Sequence, residues 1–305
     1  MSEQRKMKKY EELCYRDDFM FGKVMADPDL CRVVLECLLQ RPVSELKEVQ
    51  TQREIKFVAD GKPIRLDVYN VDSEGNVYDA EMENLNHKSV ESHQLPRRSR
   101  YYQASIDADY MDEGDSYRKL PDSNVMFICT FDPFGLGLSQ YTFYETCEED
   151  HELKLNDGTV KIFYNCTYAG EDIPDNLREF YDYVENGKAG SELTKRIDEA
   201  VVRSRKNSIW RSQYMKEKIV LQDAREEGFE EGIEQGIEQG IEQGIEQGIE
   251  RTIITLICKK LIKGKDAVAI ADEIEEPLER VSKICNIASK YLPDYDVRKI
   301  MEELR

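Results

Sequence analysis

Asp67 and Glu81 are the residues of this chain whose types and spacing point to chemistry. Residues 63–83 read as a β-hairpin, and a carboxylate on each of two adjacent strands is a ready pair of oxygen ligands for Mg²⁺ or Mn²⁺. The register follows from the turn. Ser73-Glu74-Gly75 suits a three-residue loop, a type I turn closed by a glycine in the left-handed region. Asp72 then opposes Asn76, Val68 opposes Ala80, and Asp67 opposes Glu81. Alternation predicts Ile64, Leu66 and Val68 on one face, with Arg65, Asp67 and Tyr69 on the other. On the second strand Asp79, Glu81 and Glu83 lie together, opposite Tyr78, Ala80 and Met82. Opposed residues project on the same side of a sheet, so Asp67 and Glu81 meet, and Arg65 faces Glu83 as an ion pair. Two facing carboxylates repel, and a divalent cation turns that penalty into binding energy. The competing reading is an ordinary hairpin with one solvated, charged face.

The elements that must position this pair are legible on either side. Residues 17–25 start a helix with Phe21, Val24 and Met25 at helical spacing, and a second apolar run, 30–39, ends before Pro42. Residues 53–58, followed by an Asp60-Gly61 turn, read as a strand feeding the hairpin. Pro96 opens a helix running towards Met111. Residues 124–131 form a buried strand, with further strands at 141–144 and 160–168. Helices, three strands, a helix and more strands predict a mixed α/β domain around a central sheet.

With these pieces in order, the chain resembles a known family, the PD-(D/E)XK nuclease family transposases, also called recombination-promoting nucleases. The resemblance runs through Asp18-Phe19-Met20-Phe21, KPIRLDV at 62–68, VYDAEM at 77–82, RSRYY at 98–102 and GDSY at 114–117, and covers roughly residues 10–190. It implies a restriction-endonuclease-like α/β fold, a mixed central sheet flanked by helices, and metal-dependent hydrolysis of DNA phosphodiester bonds linked to recombination or transposition. By motif, Asp67 and Glu81 bind the metal. The third position, lysine in many such nucleases and commonly glutamine in this family, is Glu83 here. A carboxylate cannot supply lysine's positive charge to the attacked phosphate; Glu83 either joins the metal shell or pairs with Arg65. Asp18 is a further ligand or a helix cap, and Arg98, on the following helix, is a phosphate contact or an ordinary basic residue. Tyr102 and Tyr117 enter as family markers only.

The 305 residues have room for one substantial domain and an extension, divided here as 1–190 (nuclease-like), 191–250 (basic helical segment and repeat stem) and 251–305 (small helical module). A net charge of -19 argues against a surface uniformly attractive to nucleic acid. Residues 195–218 are the local exception, a basic stretch with Trp210 and Tyr214 interleaved: either a solvated helix face or a track for a phosphate backbone. The eight cysteines form no CxxC pair, with Cys129 and Cys166 in apolar strand-like runs. The absence of an apolar leader core, of membrane-spanning runs and of zinc-like spacing among His87, His93 and His151 fits a cytoplasmic protein without a membrane or zinc partner.

Residues 232–250 repeat Gly-Ile-Glu-Gln. A period of four moves the isoleucines about 40° round a helix per repeat, so they wind instead of forming a heptad seam. Each repeat glycine costs roughly 1 kcal/mol against alanine, and glutamates at i,i+4 repel. An isolated helix here is therefore weak, which leaves a semi-flexible spacer or a helical stem made stable by self-association, the latter implying a homo-oligomer. Beyond it, residues 252–262, 266–274 and 278–291 read as three short helices, a helix-turn-helix or a packing bundle. The function expected is a Mg²⁺- or Mn²⁺-dependent DNA endonuclease; the alternative is a catalytically silent DNA-binding or assembly protein retaining the fold.

Overall fold

In the computed structural model, which describes residues 8–56, 62–84 and 94–304, the hairpin turn forms as its residues dictate. Gly75 takes φ +92°, Asp72 N–H donates to Asn76 O at 3.0 Å, and the Asp72 carboxylate accepts the amides of Glu74 and Asn76. Strands β2 (Ile64–Asp72) and β3 (Val77–Glu83) pair antiparallel from Val71↔Val77 to Val68↔Ala80, the predicted register. Upstream, β1 (Leu46–Ile55) pairs antiparallel with β2 and starts before the strand expected at 53–58. The predicted turn at Asp60-Gly61, and His87 and His93, lie outside the described residues.

Beyond β3, the helix opened by Pro96 precedes a parallel partner strand. β4 (Ser123–Cys129) runs parallel to β3, and β6 (Thr159–Asn165) parallel to β4, with β5 (Gln140–Phe143) antiparallel at the edge. The six-stranded sheet has the order β1-β2-β3-β4-β6-β5. The chain is thus α/β, with a mixed open sheet flanked by helices.

Each face of the sheet has its own core. Helices α1 (Asp18–Met25), α2 (Pro28–Leu39), α4 (Asp175–Asn186) and α5 (Glu192–Arg205) pack on the side of Val68, Tyr78, Ala80, Met82, Met126 and Tyr164. Helix α3 (Leu95–Tyr110) covers the other with Leu95, Tyr102 and Ile106, over Ile64, Leu66, Val77, Phe127 and Phe163. Here a prediction fails. Leu66 packs under α3 and Val68 packs on the opposite side, while Tyr69 returns to the α3 side. Simple alternation along β2 breaks at Asp67, and the reason lies in the site described below.

The chain divides into two compact units, 1–218 and 219–305. In the first, α5 buries Ile197, Ala200 and Val201 in the main core, and the start of α6 (Ser208–Ile262) buries Tyr214 and packs Trp210 against it. The Tyr214 hydroxyl donates to Lys8 O at 2.9 Å. The aromatics expected to punctuate a phosphate track are therefore packing residues, whereas Lys195, Arg203, Lys206, Arg211 and Lys216 stay exposed. In the second unit, Ile254, Ile257 and Cys258 of α6 form a small core with α7 (Ala267–Ile274), α8 (Leu278–Ala288) and α9 (Val297–Leu304). Helix α9 lies past Pro293 and adds to the three short helices expected from the sequence. The repeat is helical throughout, with Ile233, Ile237, Ile241, Ile245 and Ile249 exposed. All eight cysteines are free thiols, Cys129 and Cys166 among the buried ones. Among the described residues, no helix is long and apolar enough to cross a membrane.

Candidate metal centre

The hairpin places Asp67 and Glu81 together, but crosswise. Instead of a last pair of backbone hydrogen bonds, the Asp67 amide donates to Glu81 Oε1 at 2.7 Å and the Met82 amide donates to Asp67 Oδ2 at 3.1 Å. Each carboxylate has taken the place of a backbone acceptor on the neighbouring strand. That opens the ladder and turns the β2 backbone, which is why the side-chain alternation changes at this residue.

On the other side of β2 the same point is irregular. The β1/β2 pairs run Thr51↔Val68 and then Arg53↔Leu66, with Gln52 between them at φ +56°. A positive φ is costly for a residue with a side chain. Here it accompanies a specific contact: Gln52 Nε2 donates to Asp67 Oδ1 at 3.2 Å. Gly22 of α1 faces this side chain closely, and a Cβ there would meet Gln52 Nε2 at 3.4 Å, an ordinary van der Waals contact. Gln52 is the site residue that sequence reasoning missed, because a glutamine in Thr51-Gln52-Arg53 reads as an ordinary polar strand position.

The solvated-face reading of the hairpin does not survive. Every residue of β3 is buried, Asp79, Glu81 and Glu83 included, and Asp67 is buried beside them. Among the described residues, neither oxygen of Asp79 has a hydrogen-bond partner. Burial, then the charge of Asp67, pushes the Asp79 carboxyl well above the carboxylate range, with the charge of Arg98 pulling the other way. Glu81 is likewise raised by burial, then by Asp67 and Asp79. Asp67 is pushed up to about 7 by burial and by the charge of Asp18, against the Met82 amide, Gln52 and Arg65. Such a cluster needs positive charge, supplied by protons or by a cation.

Part of that charge comes from Arg98 on α3. Its guanidinium donates to Glu81 Oε2 at 3.0 Å and forms an ion pair with Glu83, while its plane lies 5.1 Å from the Tyr102 ring centroid and 5.2 Å from that of Phe127. The ion-pair partner given to Glu83 in the sequence, Arg65, is exposed, and its charge instead acts on Asp18 and Asp67. Asp18 is the first residue of α1 and keeps solvent access; the cap position belongs to Asp17, which makes no side-chain cap bond. Crowding by neighbouring atoms raises the Asp18 carboxyl, opposed by its own backbone amide, Arg65 and Arg98. Tyr102 is buried and Tyr117 exposed.

The donor set is hard oxygen, which matches Mg²⁺ or Mn²⁺ and not zinc. Among the described residues, no group of three or more His, Cys, Asp or Glu side chains is arranged to hold a metal ion. Two carboxylates are nonetheless the usual protein contribution to Mg²⁺ where substrate phosphate and water complete the shell. Asp67 and Glu81 contribute two carboxylates on adjacent strands, and all four of their oxygens accept hydrogen bonds within the protein. No protein-family model, curated protein or solved structure matches this chain.

Proposed function

We propose that this chain is a divalent-metal-dependent DNA endonuclease of the PD-(D/E)XK type, with a restriction-endonuclease-like fold, acting in recombination or transposition. The observation that supports it most is the Asp67/Glu81 pair, two buried carboxylates from adjacent strands of a mixed sheet, each oriented by a backbone amide. When bound, a divalent cation lowers the pKa of a coordinated water and polarises the scissile phosphodiester. Asp67 and Glu81 would hold it. Gln52 and the Met82 amide fix the Asp67 carboxylate, and the solvent-accessible Asp18 acts on it through its charge. Glu83 occupies the position from which lysine commonly supplies positive charge. Its ion pair brings the guanidinium of Arg98 to that place, so the charge arrives from α3.

A second reading, a silent DNA-binding or assembly protein, draws on one observation: Asp67 and Glu81 spend all four oxygens on hydrogen bonds within the protein. Nicking of supercoiled plasmid separates the two. The nuclease reading expects nicking with Mg²⁺ or Mn²⁺ and none in EDTA; folded protein inactive in every condition supports the silent reading.

The repeat is assigned to self-association. A helix with a glycine every four residues gains little from propensity, and its exposed isoleucines gain from burial against further copies. The helicity of a peptide covering residues 224–255 is expected to rise with concentration. A coil that stays unchanged at millimolar concentration would remove this role.

A further inference from the structure

Among the described residues, three of the donors that hold Asp67 and Glu81 are neutral and one is charged. The Asp67 amide, the Met82 amide and the Gln52 carboxamide each take one oxygen, at 2.7, 3.1 and 3.2 Å. An oxygen bonded to an amide keeps a second lone pair that a cation can use. Glu81 Oε2 differs, because its partner is the Arg98 guanidinium at 3.0 Å. A positive charge already on that oxygen repels a second cation brought to it. Arg98 is therefore the donor of the four that stands against a metal ion at Glu81.

Arg98 is also placed to let go. Its Nη2 bonds to Glu81, while Nη1 pairs with Glu83, so the guanidinium keeps an anion when Nη2 leaves. Tyr102 and Phe127 hold it in position, with ring centroids 5.1 and 5.2 Å away. The Arg98 side chain is 34% exposed against 2% for Glu81, so turning Nη2 outward exchanges a carboxylate for solvent. The present pairing is incomplete as well. Arg98 Nε is buried with no hydrogen-bond partner, and neither oxygen of Asp79 has one, although the charge of Arg98 reaches Asp79. Asp79, Glu81 and Glu83 form a buried row with room for more positive charge than one guanidinium brings. A divalent ion at Glu81 can thus add to a guanidinium on Glu83 without driving it from the cluster.

We infer that Arg98 is a built-in competitor for the metal position: it holds Glu81 Oε2 in the metal-free protein, and metal binding shifts it onto Glu83 with Nη2 turned to solvent. This rests on the nuclease reading above and adds its regulation. The released Nη2 is a charged donor suited to a phosphate oxygen. Metal and DNA phosphate then favour each other's binding, because each gains from the same movement of one side chain.

Isothermal titration of Mn²⁺ into full-length wild type and Arg98→Met, each confirmed as folded, reads the competition. Arg98→Met is expected to bind the ion about tenfold more tightly, the scale of one charge-assisted hydrogen bond taken out of the way. The sign is informative, since a merely structural role for Arg98 would loosen the site and weaken binding. Arg98→Lys keeps the charge but cannot bridge two carboxylates as a fork, and is expected to fall between. In wild type, the NMR signals of the Arg98 guanidinium, assigned by their absence from Arg98→Lys, are expected to move on addition of Mg²⁺. Their direction should be towards the metal-free Glu81→Ala spectrum, in which that bond is already absent. Wild type that binds Mn²⁺ while Arg98→Met binds it no more tightly, or an Arg98 signal unmoved by saturating Mg²⁺, overturns the competition and leaves the nuclease reading standing. Failure of both wild type and Arg98→Met to bind Mn²⁺ overturns both.

Discussion

Arg98→Ala is expected to lower the stability of the first unit by up to about 3 kcal/mol at pH 7, less than the full cost of stripping one partner from a buried ion pair because the guanidinium is 34% exposed and partly screened by solvent. The size follows from what is left behind. Glu81 and Glu83 are buried, Arg98 bonds to both, and Asp67 and Asp79 lie beside Glu81. Removing the guanidinium leaves these carboxylates to repel one another without an opposing charge, and also removes the cation from the faces of Tyr102 and Phe127. For a unit of this size, 3 kcal/mol corresponds to a drop of about 6–12 °C in Tm. The deficit should narrow as pH falls, because Glu81, already raised, takes up a proton and the repulsion fades. Thermal denaturation of Arg98→Ala at pH 5 and pH 8 measures both. Equal losses at the two values would mean that Arg98 acts through packing alone.

Asp67→Asn is expected to separate stability from activity in opposite directions. The Asp67 carboxyl titrates at about 7 in the fold against 3.8 outside it. The folded state therefore holds a proton that the unfolded chain gives up between those values. The associated stability is full below about pH 4 and is lost as pH rises through about 7. An amide at this position escapes that penalty. Above pH 7 the metal-free variant should be more stable than wild type by an amount on the order of 2–4 kcal/mol, and near pH 4 the two should converge. Metal-dependent nicking should meanwhile fall by at least about 10²-fold, since a charged ligand has been removed from the site. Denaturation of both proteins in EDTA across pH 4–8, set beside plasmid nicking, provides the check. A variant less stable than wild type at pH 8 would show that the Asp67 charge is compensated within the metal-free fold.

Much of this arrangement is legible in the residues themselves. The Ser73-Glu74-Gly75 turn fixes the hairpin register because only one short loop suits those residues, and Val68↔Ala80 follows by counting. What could not be read is the local failure of that count. At Asp67 the pleat yields to side chains that capture amides on the opposite strand, and period-two alternation contains no term for that competition. Gln52 was invisible for a related reason, since its role depends on a positive φ that nothing in its residue type announces. The depth of the acidic face was also misjudged by the solvated-face reading. Runs such as Asp79-Ala80-Glu81-Met82-Glu83 look amphipathic, and only the packing of α3 across them reveals that both faces are covered. Arg98 stood out by motif, but its engagement with Glu83 is a contact between a strand and the helix after it, which spacing along the chain does not encode.

Direct counting of Mn²⁺ bound by the full-length protein, followed by electron paramagnetic resonance at pH 7.5 in wild type and Asp67→Asn, tests the central assignment without relying on turnover. Wild type is expected to bind Mn²⁺ saturably and to release it as pH falls below about 7, with Mg²⁺ in competition, while Asp67→Asn loses that site. Wild type that binds no Mn²⁺, or an Asp67→Asn protein that binds it equally well, would contradict the account.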